Sequence, residues 1–254
     1  MKRMIKLYIA SGLALMIFMF TYLGCGSTSK LAGSYVTDTL YTNTEAQGDL
    51  LEISFERGPE HNHPLMAIWI EDEEGNFLQT LFVAESIGKG MFGHGDKSTG
   101  KWLPGPIRRP AALPVWAHRR GVQEEDGLYV PTQDTPVPDA YTGATPPAHF
   151  NLFARTDKPL PETFTVYFEI NQTWDWNEYW TNNKYPDDQE YKTSCQPALV
   201  YSVSLSSEDK GIEKPMELIG HSSYNGSDGE LTMDLSTITT AKDISRGIQV
   251  RLLP

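Results

Sequence analysis

Leu65-Met66-Ala67-Ile68-Trp69-Ile70 is an unbroken run of apolar residues, and it decides the fold class of this chain. The turn Glu71-Asp72-Glu73-Glu74-Gly75-Asn76 follows it, and a second apolar stretch covers residues 77–83. Two such runs joined by a short polar turn that contains glycine are typical of a β-hairpin. Because the first run has no polar position, we expect that strand to be buried on both faces.

Segments on both sides of this hairpin have the two-residue period of half-buried strands. Apolar residues alternate in this way at Leu51, Ile53 and Phe55, and again at Phe164, Val166, Phe168 and Ile170. Further strands are predicted at residues 198–205, 231–235 and 248–252. No long helical period competes with them. The sequence therefore predicts an all-β fold, an antiparallel β-sandwich for which an immunoglobulin-like layout is one arrangement, in a single domain over residues 49–254.

One stretch, about residues 85–147, interrupts this rhythm and is here named the insertion. It is dense in Gly and Pro, holds Trp102 and Trp116, and has few strand signals. It also carries the basic pairs Arg108-Arg109 and Arg119-Arg120 in an otherwise acidic protein. Long irregular insertions in compact domains are usually functional or disordered, and the aromatic residues favour order. The basic pairs make the insertion the place where an anion such as a phosphate would dock.

The N-terminus has the order of a secretory signal. Lys2, Arg3 and Lys6 precede an apolar run that ends in Tyr22-Leu23-Gly24-Cys25. The Leu-Gly-Cys end resembles the lipobox of bacterial lipoproteins, in which the cysteine is acylated, with palmitate for example, and becomes the new N-terminus. We expect residues 1–24 to be a signal peptide and Cys25 to be the lipid attachment site, and an uncleaved transmembrane anchor is the alternative.

The residues after Cys25 read as a linker that carries the folded domain away from the membrane. Residues 26–48 are rich in Gly, Ser, Thr and Asn, with a first edge strand predicted near residues 33–36. Cys25 is not followed by the acidic cluster that resembles a surface-export signal. We therefore expect a cell-envelope protein, anchored to a membrane and facing the periplasm.

Charge excludes one class of function. Residues 1–24 contain three basic side chains and no acidic one, so the mature part carries 18 basic against 33 acidic side chains, a formal charge of −15. Such a surface is repelled by nucleic acid, and we discard nucleic-acid binding. With Cys25 lipidated only Cys195 remains, which excludes a disulfide within the chain and favours a small buried side chain at that position.

The string Asp139-Ala140-Tyr141-Thr142-Gly143-Ala144-Thr145 is the most specific motif in the insertion. It resembles the flavinylation signature of FMN-binding domains in sodium-pumping quinone reductases and Rnf-type complexes. There a flavin transferase links FMN through its phosphate to the final hydroxyl, which here is Thr145. The resemblance implies a cofactor site made of Thr145 with Asp139, Thr142, Gly143 and Ala144. In such a site small residues keep the backbone clear for a bulky donor nucleotide.

A structural turn is the alternative for the same letters. Asp139 and Thr142 are residue types that accept hydrogen bonds from nearby backbone amides, and Gly143 is suited to a positive φ. In that interpretation the motif is a corner between strands and binds nothing.

A second resemblance covers most of the mature chain. The string Ala67-Ile68-Trp69-Ile70-Glu71-Asp72-Glu73-Glu74-Gly75, together with Leu78, Thr80-Leu81 and residues 139–145, resembles the periplasmic family known as domain of unknown function 2271. Its members resemble β-rich exported proteins and tend to be encoded beside flavin transferases and PepSY-type membrane proteins. The resemblance implies flavin-based electron transfer with a flavin transferase and a membrane redox protein as partners. It supplies no catalytic residues.

Other candidates are weaker. His61 and His63 have a spacing that places two metal ligands on one face of a strand, although exposed loop histidines are favoured. The acidic turn at residues 71–74 lacks the ligand spacing of calcium loops and is interpreted as a solvated hairpin.

The string Trp174-Asp175-Trp176-Asn177-Glu178-Tyr179-Trp180 suits either core packing or a stacking platform. No hydrolase or nucleotidase motif occurs, so we expect no independent catalytic activity. The alternative function is a non-catalytic β-sandwich module that binds a glycan or a protein partner.

Overall fold

The computed structural model describes residues 36–254. The predicted signal peptide and Cys25 lie outside the described residues. Thirteen strands are formed between residues 36 and 254: β1 (Asp38–Thr42), β2 (Leu50–Arg57), β3 (Leu65–Asp72), β4 (Phe77–Ala84), β5 (Met91–Asp96), β6 (Leu103–Pro106), β7 (Thr142–Gly143), β8 (Phe150–Arg155), β9 (Thr163–Asn171), β10 (Leu199–Ser206), β11 (Glu213–Pro215), β12 (Glu217–His221) and β13 (Ser245–Leu252).

Helices in this part of the chain are short. The α-helices are α1 (Glu85–Gly88), α2 (Pro114–Arg119) and α3 (Tyr191–Ser194). Single 3₁₀ turns lie at Asp139–Tyr141, Ser207–Asp209 and Thr240–Asp243. None of the helices in residues 36–254 has the length and apolar character that crossing a membrane requires.

The strands form two large sheets and one small one. The five-stranded sheet has the order β1-β8-β2-β13-β11, the six-stranded sheet has the order β12-β10-β9-β3-β4-β7, and β5 pairs with β6. The predicted all-β sandwich is confirmed. The antiparallel prediction needs a correction, because the edge strands β1 and β7 lie parallel to their neighbours β8 and β4. Each of these two edge strands reaches its neighbour through a long connection, and that allows parallel pairing.

Both faces of the central strand β3 are covered, as its apolar run predicts. Met66, Ile68 and Ile70 point into the core between the two large sheets. On the other side of β3, Leu65, Ala67 and Trp69 pack beneath the insertion. The insertion thus forms a third layer on the outer face of the six-stranded sheet, and it is ordered, with α2 and the β5–β6 hairpin inside it.

The core between the sheets comes from the alternating residues of the flanking strands. The Phe55 ring of β2 stacks on Phe150 of β8 at 5.0 Å and on Phe168 of β9 at 5.8 Å, measured between ring centroids. These three rings join the five-stranded sheet to the six-stranded sheet near one end of the sandwich. Burial of such large side chains supplies most of the stabilisation of a fold that has no disulfide in its described part.

Some sequence expectations about strands are wrong. Residues 231–235 make only a single bridge, between Thr232 and His221, instead of a strand. The first strand of the described residues is Asp38–Thr42, and it is hydrogen-bonded into the five-stranded sheet. The edge strand predicted near residues 33–36 lies, apart from Val36, outside the described residues. Gly48 also packs against the folded body, where an added Cβ would lie 2.3 Å from the Thr156 carbonyl oxygen. The folded domain therefore begins before residue 49, and the linker prediction is wrong for the stretch from Asp38 to Gly48.

Candidate functional site

Three residues of the flavinylation-like motif, Gly143, Ala144 and Thr145, line a cleft of about 270 Å³ at the edge of the six-stranded sheet. The opposite wall comes from the start of the insertion: Glu85, Ser86, Lys89, Met91 and Gly93. A Cβ added to Gly93 would meet no atom within 4 Å, so this wall borders open space. We call this feature the Thr145 cleft.

The motif is seated on the sheet by close packing. Thr142 and Gly143 pair with Val83 and Ala84 of β4. A Cβ on Gly143 would lie 2.9 Å from the Phe82 ring, so glycine is required by this contact. The φ of Gly143 is not positive, contrary to the turn interpretation. The side chain of Asp139 likewise accepts no hydrogen bond from a backbone amide of the described residues, and its partner is Lys89.

The carboxylate of Asp139 makes an ion pair with a residue of the cleft wall. Lys89 Nζ lies 2.9 Å from Asp139 Oδ1 and 2.7 Å from Glu85 Oε1. The hydrogen bonds that Lys89 donates to Glu85 and Asp139 raise the pKa of Lys89 well above its ordinary value. Since all three side chains are at the surface, the pair positions the motif against α1 more than it stabilises the fold.

A second contact holds the motif from its other side. Tyr141 Oη donates to both carboxylate oxygens of Asp157, at 2.7 and 2.8 Å. Partial burial and this hydrogen bond raise the pKa of Tyr141 to about 12. Asn43 adds two bonds, its amide N–H to the Ala140 carbonyl and its side chain to Asp157, at 2.9 and 2.8 Å. Residues 139–142 are therefore fixed by neighbours on both sides.

Thr145 follows this fixed segment and is itself free of such contacts. Its side chain is half-buried at the cleft wall, next to the exposed Ala144. Among residues 36–254, no hydrogen bond to the Thr145 hydroxyl is formed. The hydroxyl is thus positioned at an open surface, where an external reactant has access to it.

The four arginines that suggested anion docking hold the insertion together instead. Arg108 pairs with Asp126 and donates to the Val130 carbonyl oxygen. Each of the others also has a partner within the described residues: Arg109 lies over the Phe92 ring and donates to Thr173, Arg119 lies 3.6 Å from Glu71, and Arg120 lies over Trp116 and donates to the Tyr129 carbonyl oxygen. These partners leave Lys89 as the cation of the Thr145 cleft.

A buried carboxyl group anchors the insertion to the sheet, and sequence reasoning missed it. Glu169, on the outer face of β9, is fully buried and accepts the backbone N–H groups of Val115 and Trp116 at 3.1 and 2.8 Å. These are orphan amides at the start of α2. Burial raises the pKa of Glu169 to about 8, against the lowering effect of the two amides. The acidic residue among apolar neighbours in residues 164–170 was the available signal.

Residues 174–180, here named the aromatic loop, follow β9 and are exposed, contrary to the favoured prediction of core packing. Trp174, Trp176 and Tyr179 have 65%, 57% and 51% of their surface exposed, whereas Trp180 is buried. Asp175 and Asn177 turn their side chains inward, whereas Glu178 is exposed. Asp175 accepts from Thr240 Oγ1 at 2.5 Å, and the Asn177 side chain accepts the amides of Tyr179 and Trp180 at 2.9 and 2.6 Å.

The remaining candidates do not form a second site. His63 is exposed, but His61 is buried against Phe55, so the prediction of two exposed histidines is wrong for His61. Burial and the Arg57 charge lower the pKa of His61 to about 4. Within residues 36–254, no group of three or more His, Cys, Asp or Glu is arranged to hold a metal ion.

Glu71 and Cys195 are both buried. Glu71 accepts a hydrogen bond from the Trp69 indole at 2.8 Å. The prediction of a solvated acidic turn therefore fails at Glu71, the first residue of that turn. Cys195 is buried as predicted, and burial raises the pKa of its thiol to about 11.

Comparison with known proteins gives no match: no protein-family model, no curated protein and no solved structure is similar to this chain. The resemblance to the periplasmic family stays a prediction, and the function has to be argued from the Thr145 cleft and the aromatic loop.

Proposed function

We propose that this protein is a lipid-anchored protein of the cell envelope that takes part in flavin-based electron transfer and carries FMN on Thr145. The observation that carries the proposal is the position of the Thr145 hydroxyl, which lies in an open cleft and has no hydrogen-bond partner among the described residues. A hydroxyl that served only a structural turn would be bonded to a neighbouring backbone group.

The residues of the cleft suit a phosphoester of FMN. Lys89 supplies a positive charge beside Thr145, and Gly93 leaves room where a side chain would obstruct a ring. Met91 offers a polarisable surface for that ring. Asp139 and Glu85 hold Lys89 in place, and their two negative charges also limit how strongly the cleft would attract a free phosphate. Covalent attachment removes the need for tight reversible binding.

The chemistry requires little from the protein itself. A flavin transferase would cleave the pyrophosphate bond of a flavin dinucleotide, transfer the FMN phosphoryl group to Thr145 Oγ1 and release a nucleoside monophosphate and the hydroxyl proton. The acceptor segment has only to be accessible and held in one conformation. Contacts of Asp139 with Lys89 and of Tyr141 with Asp157 supply the second condition.

The test is co-expression of the full-length chain with a flavin transferase and Mg²⁺. We expect a denatured gel band that fluoresces as flavin, because a phosphoester survives unfolding and a bound cofactor does not. Thr145→Val removes the hydroxyl at nearly unchanged shape and should abolish the fluorescence. Thr145→Ser is the matched control, since it keeps a hydroxyl and should retain labelling.

Thr142→Val separates attachment from recognition. Thr142 lies in β7 and packs against Gly88, so its loss should slow labelling without abolishing it. A folded wild-type chain that stays dark with an active transferase would overturn attachment at Thr145.

A second candidate function is favoured by the exposure of three rings in the aromatic loop. Trp174, Trp176 and Tyr179 could stack on the apolar faces of a glycan in a non-catalytic binding module. Titration with oligosaccharides, followed by tryptophan emission, tests it. A saturable change that Trp176→Ala removes, in a chain that is not flavinylated, would favour this candidate.

A further inference from the structure

We infer that the aromatic loop contacts the lipid headgroup region of the membrane to which the protein is tethered, and so holds the Thr145 cleft close to that membrane. The inference rests on the proposed lipid anchor at Cys25. It does not require that Thr145 carries a flavin.

The loop is built as a docking surface. Surface loops normally expose polar side chains, whereas here Asp175 and Asn177 are bonded inward and the rings of Trp174 and Trp176 face solvent. The backbone is held by bonds between Trp174 and Thr193 and between Asp175 and Ser194, at 3.2 and 3.0 Å. Trp174 also has a φ of 60°, a conformation that is unfavourable for a residue with a large side chain. Exposed rings on a rigid frame mark an interaction site.

Strand registers place this loop at the end of the sandwich where the chain enters the fold. Asp38, at the start of β1, pairs with Phe150, which pairs with Phe55 near the end of β2. The segment after β2 reaches the segment after β9, because the Asn62 amide donates to the Gln172 side chain at 2.7 Å. Trp174 comes two residues later. The aromatic loop and residue 36 therefore lie at the same end.

The Thr145 cleft lies at this end too. Val83, near the end of β4, pairs with Ala67 near the start of β3, and the start of β3 pairs with Asn171 at the end of β9. The motif runs beside Val83 and Ala84. Arg109 connects the two features, since its guanidinium lies over Phe92 of β5 and donates to Thr173 at 2.9 Å.

The length of chain between the anchor and residue 36 sets which end faces the membrane. The eleven residues from Cys25 to Val36 can span at most about 35–40 Å whatever their conformation, and a flexible chain of that length spans about 18 Å. A domain of this size has a radius of gyration of roughly 17 Å. The end that holds residue 36 is thus kept nearer to the bilayer than the opposite end.

Aromatic rings, rather than charge, are expected to make the contact. The mature chain is strongly acidic, so anionic headgroups would repel it. Trp and Tyr favour the membrane interface because one part of the ring is apolar and the other donates a hydrogen bond. The contact should therefore form on zwitterionic vesicles and persist at high salt.

The test uses lipidated full-length protein in phosphatidylcholine vesicles whose acyl chains are brominated or not. All variants carry Trp102→Phe, which leaves Trp174 and Trp176 as the exposed tryptophans of the described residues. We expect brominated vesicles to quench emission, and Trp174→Ser with Trp176→Ser to abolish that quenching. The matched control adds Ile212→Trp to this double variant. Ile212 is exposed beside the Leu252 end of β13, opposite the aromatic loop, so its tryptophan should stay unquenched.

Flotation of the same vesicles reports the anchor independently. Protein that floats without quenching, or quenching that persists in the double variant, would overturn the loop contact and leave the anchor intact. Failure to float would overturn the anchor and the inference together. Quenching at Ile212→Trp equal to that at the loop would show that the tether does not orient the domain.

Discussion

The two faces of the six-stranded sheet are buried by different means. The inner face meets the five-stranded sheet mainly through apolar side chains, such as Phe168, Val166 and Ile68, and polar contacts between the sheets are made by Gln79 near one end of β4. The outer face is covered by the insertion, which is fixed by polar anchors as well as by packing: Glu169 accepts two amides of α2, and Thr80 accepts from the Trp116 indole at 3.0 Å. An apolar face tolerates exchange among similar side chains, whereas each polar anchor specifies one position of the covering segment.

Phe168→Ala tests the inner face and has the largest expected effect. The fully buried ring stacks on Phe55, and its removal leaves a cavity between the two sheets. We expect the free energy of unfolding to fall by about 3–5 kcal/mol. Far-UV circular dichroism and tryptophan emission should still report one transition in urea. Two separated transitions would show that the sheets do not unfold as a unit.

Glu169→Leu tests the outer face at the neighbouring position. The two amides at the start of α2 would lose their acceptor in a buried place, at a cost of about 2–3 kcal/mol. Unlike the inner-face variant, this one should act locally. Hydrogen exchange should speed up in residues 107–137, while β3 and β9 stay protected.

Glu169→Gln is the control for this variant, because it keeps one carbonyl acceptor at nearly the same shape. It should produce a smaller increase in exchange. Equal exchange increases in both large sheets of Glu169→Leu would mean that the insertion is part of the main cooperative unit and that the comparison between the faces fails.

The same difference explains what the sequence could predict. β2, β3, β4, β9, β10 and β13 were recognised because burial of apolar side chains leaves a period of two, or an unbroken run, in the residues. β8 carries the same period at Phe150, Leu152 and Ala154, and it was missed because it directly follows the irregular insertion. β7 and β11 have two and three residues and depend on their neighbours alone.

The candidate site was predictable only in part. The motif at residues 139–145 is continuous in sequence, so it could be recognised. The opposite wall of its cleft is formed by residues 85–93, which no sequence pattern linked to the motif. The basic pairs suggested a ligand because charge is visible in a sequence, but the partners of Arg108 and Arg120 are backbone carbonyls, which are not. The outward direction of Trp174 and Trp176 depends on the bonds of Asp175 and Asn177.

Two buried groups should give the stability opposite dependences on pH. Burial raises the pKa of Glu169 from 4.5 to about 8, so its contribution is fully present below pH 4.5 and is lost as the pH rises through 8. Burial lowers the pKa of His61 from 6.5 to about 4, so its contribution is present above pH 6.5 and is lost as the pH falls through 4. From pH 6.5 to 8 only the Glu169 effect remains, a loss of about 2 kcal/mol.

Urea unfolding at a series of pH values measures this profile. Glu169→Gln should flatten the decline between pH 6.5 and 8, and His61→Gln should expose a decline that begins near pH 4.5. A decline that persists in Glu169→Gln would assign it to another group. Glu169 would then not be the group that titrates, and the contrast between the outer face and the inner face would rest on the hydrogen bonds of Glu169 alone.

The smallest expected effect belongs to the aromatic loop, which lies on neither face. Trp174 has a φ of 60°, which costs an L-residue about 1–2 kcal/mol, whereas the φ of Trp176 is not positive. In Trp174→Gly the relief of this strain offsets the larger conformational entropy that a glycine loses on folding. The unfolding free energy should therefore stay within about 0.5 kcal/mol of wild type or rise. Trp176→Gly relieves no backbone strain, so its unfolding free energy should fall by about 0.5–1 kcal/mol. Equal losses of unfolding free energy in the two variants would show that the Trp174 ring stabilises the fold. The aromatic loop would then be a structural part of the domain and not a surface held exposed for a partner.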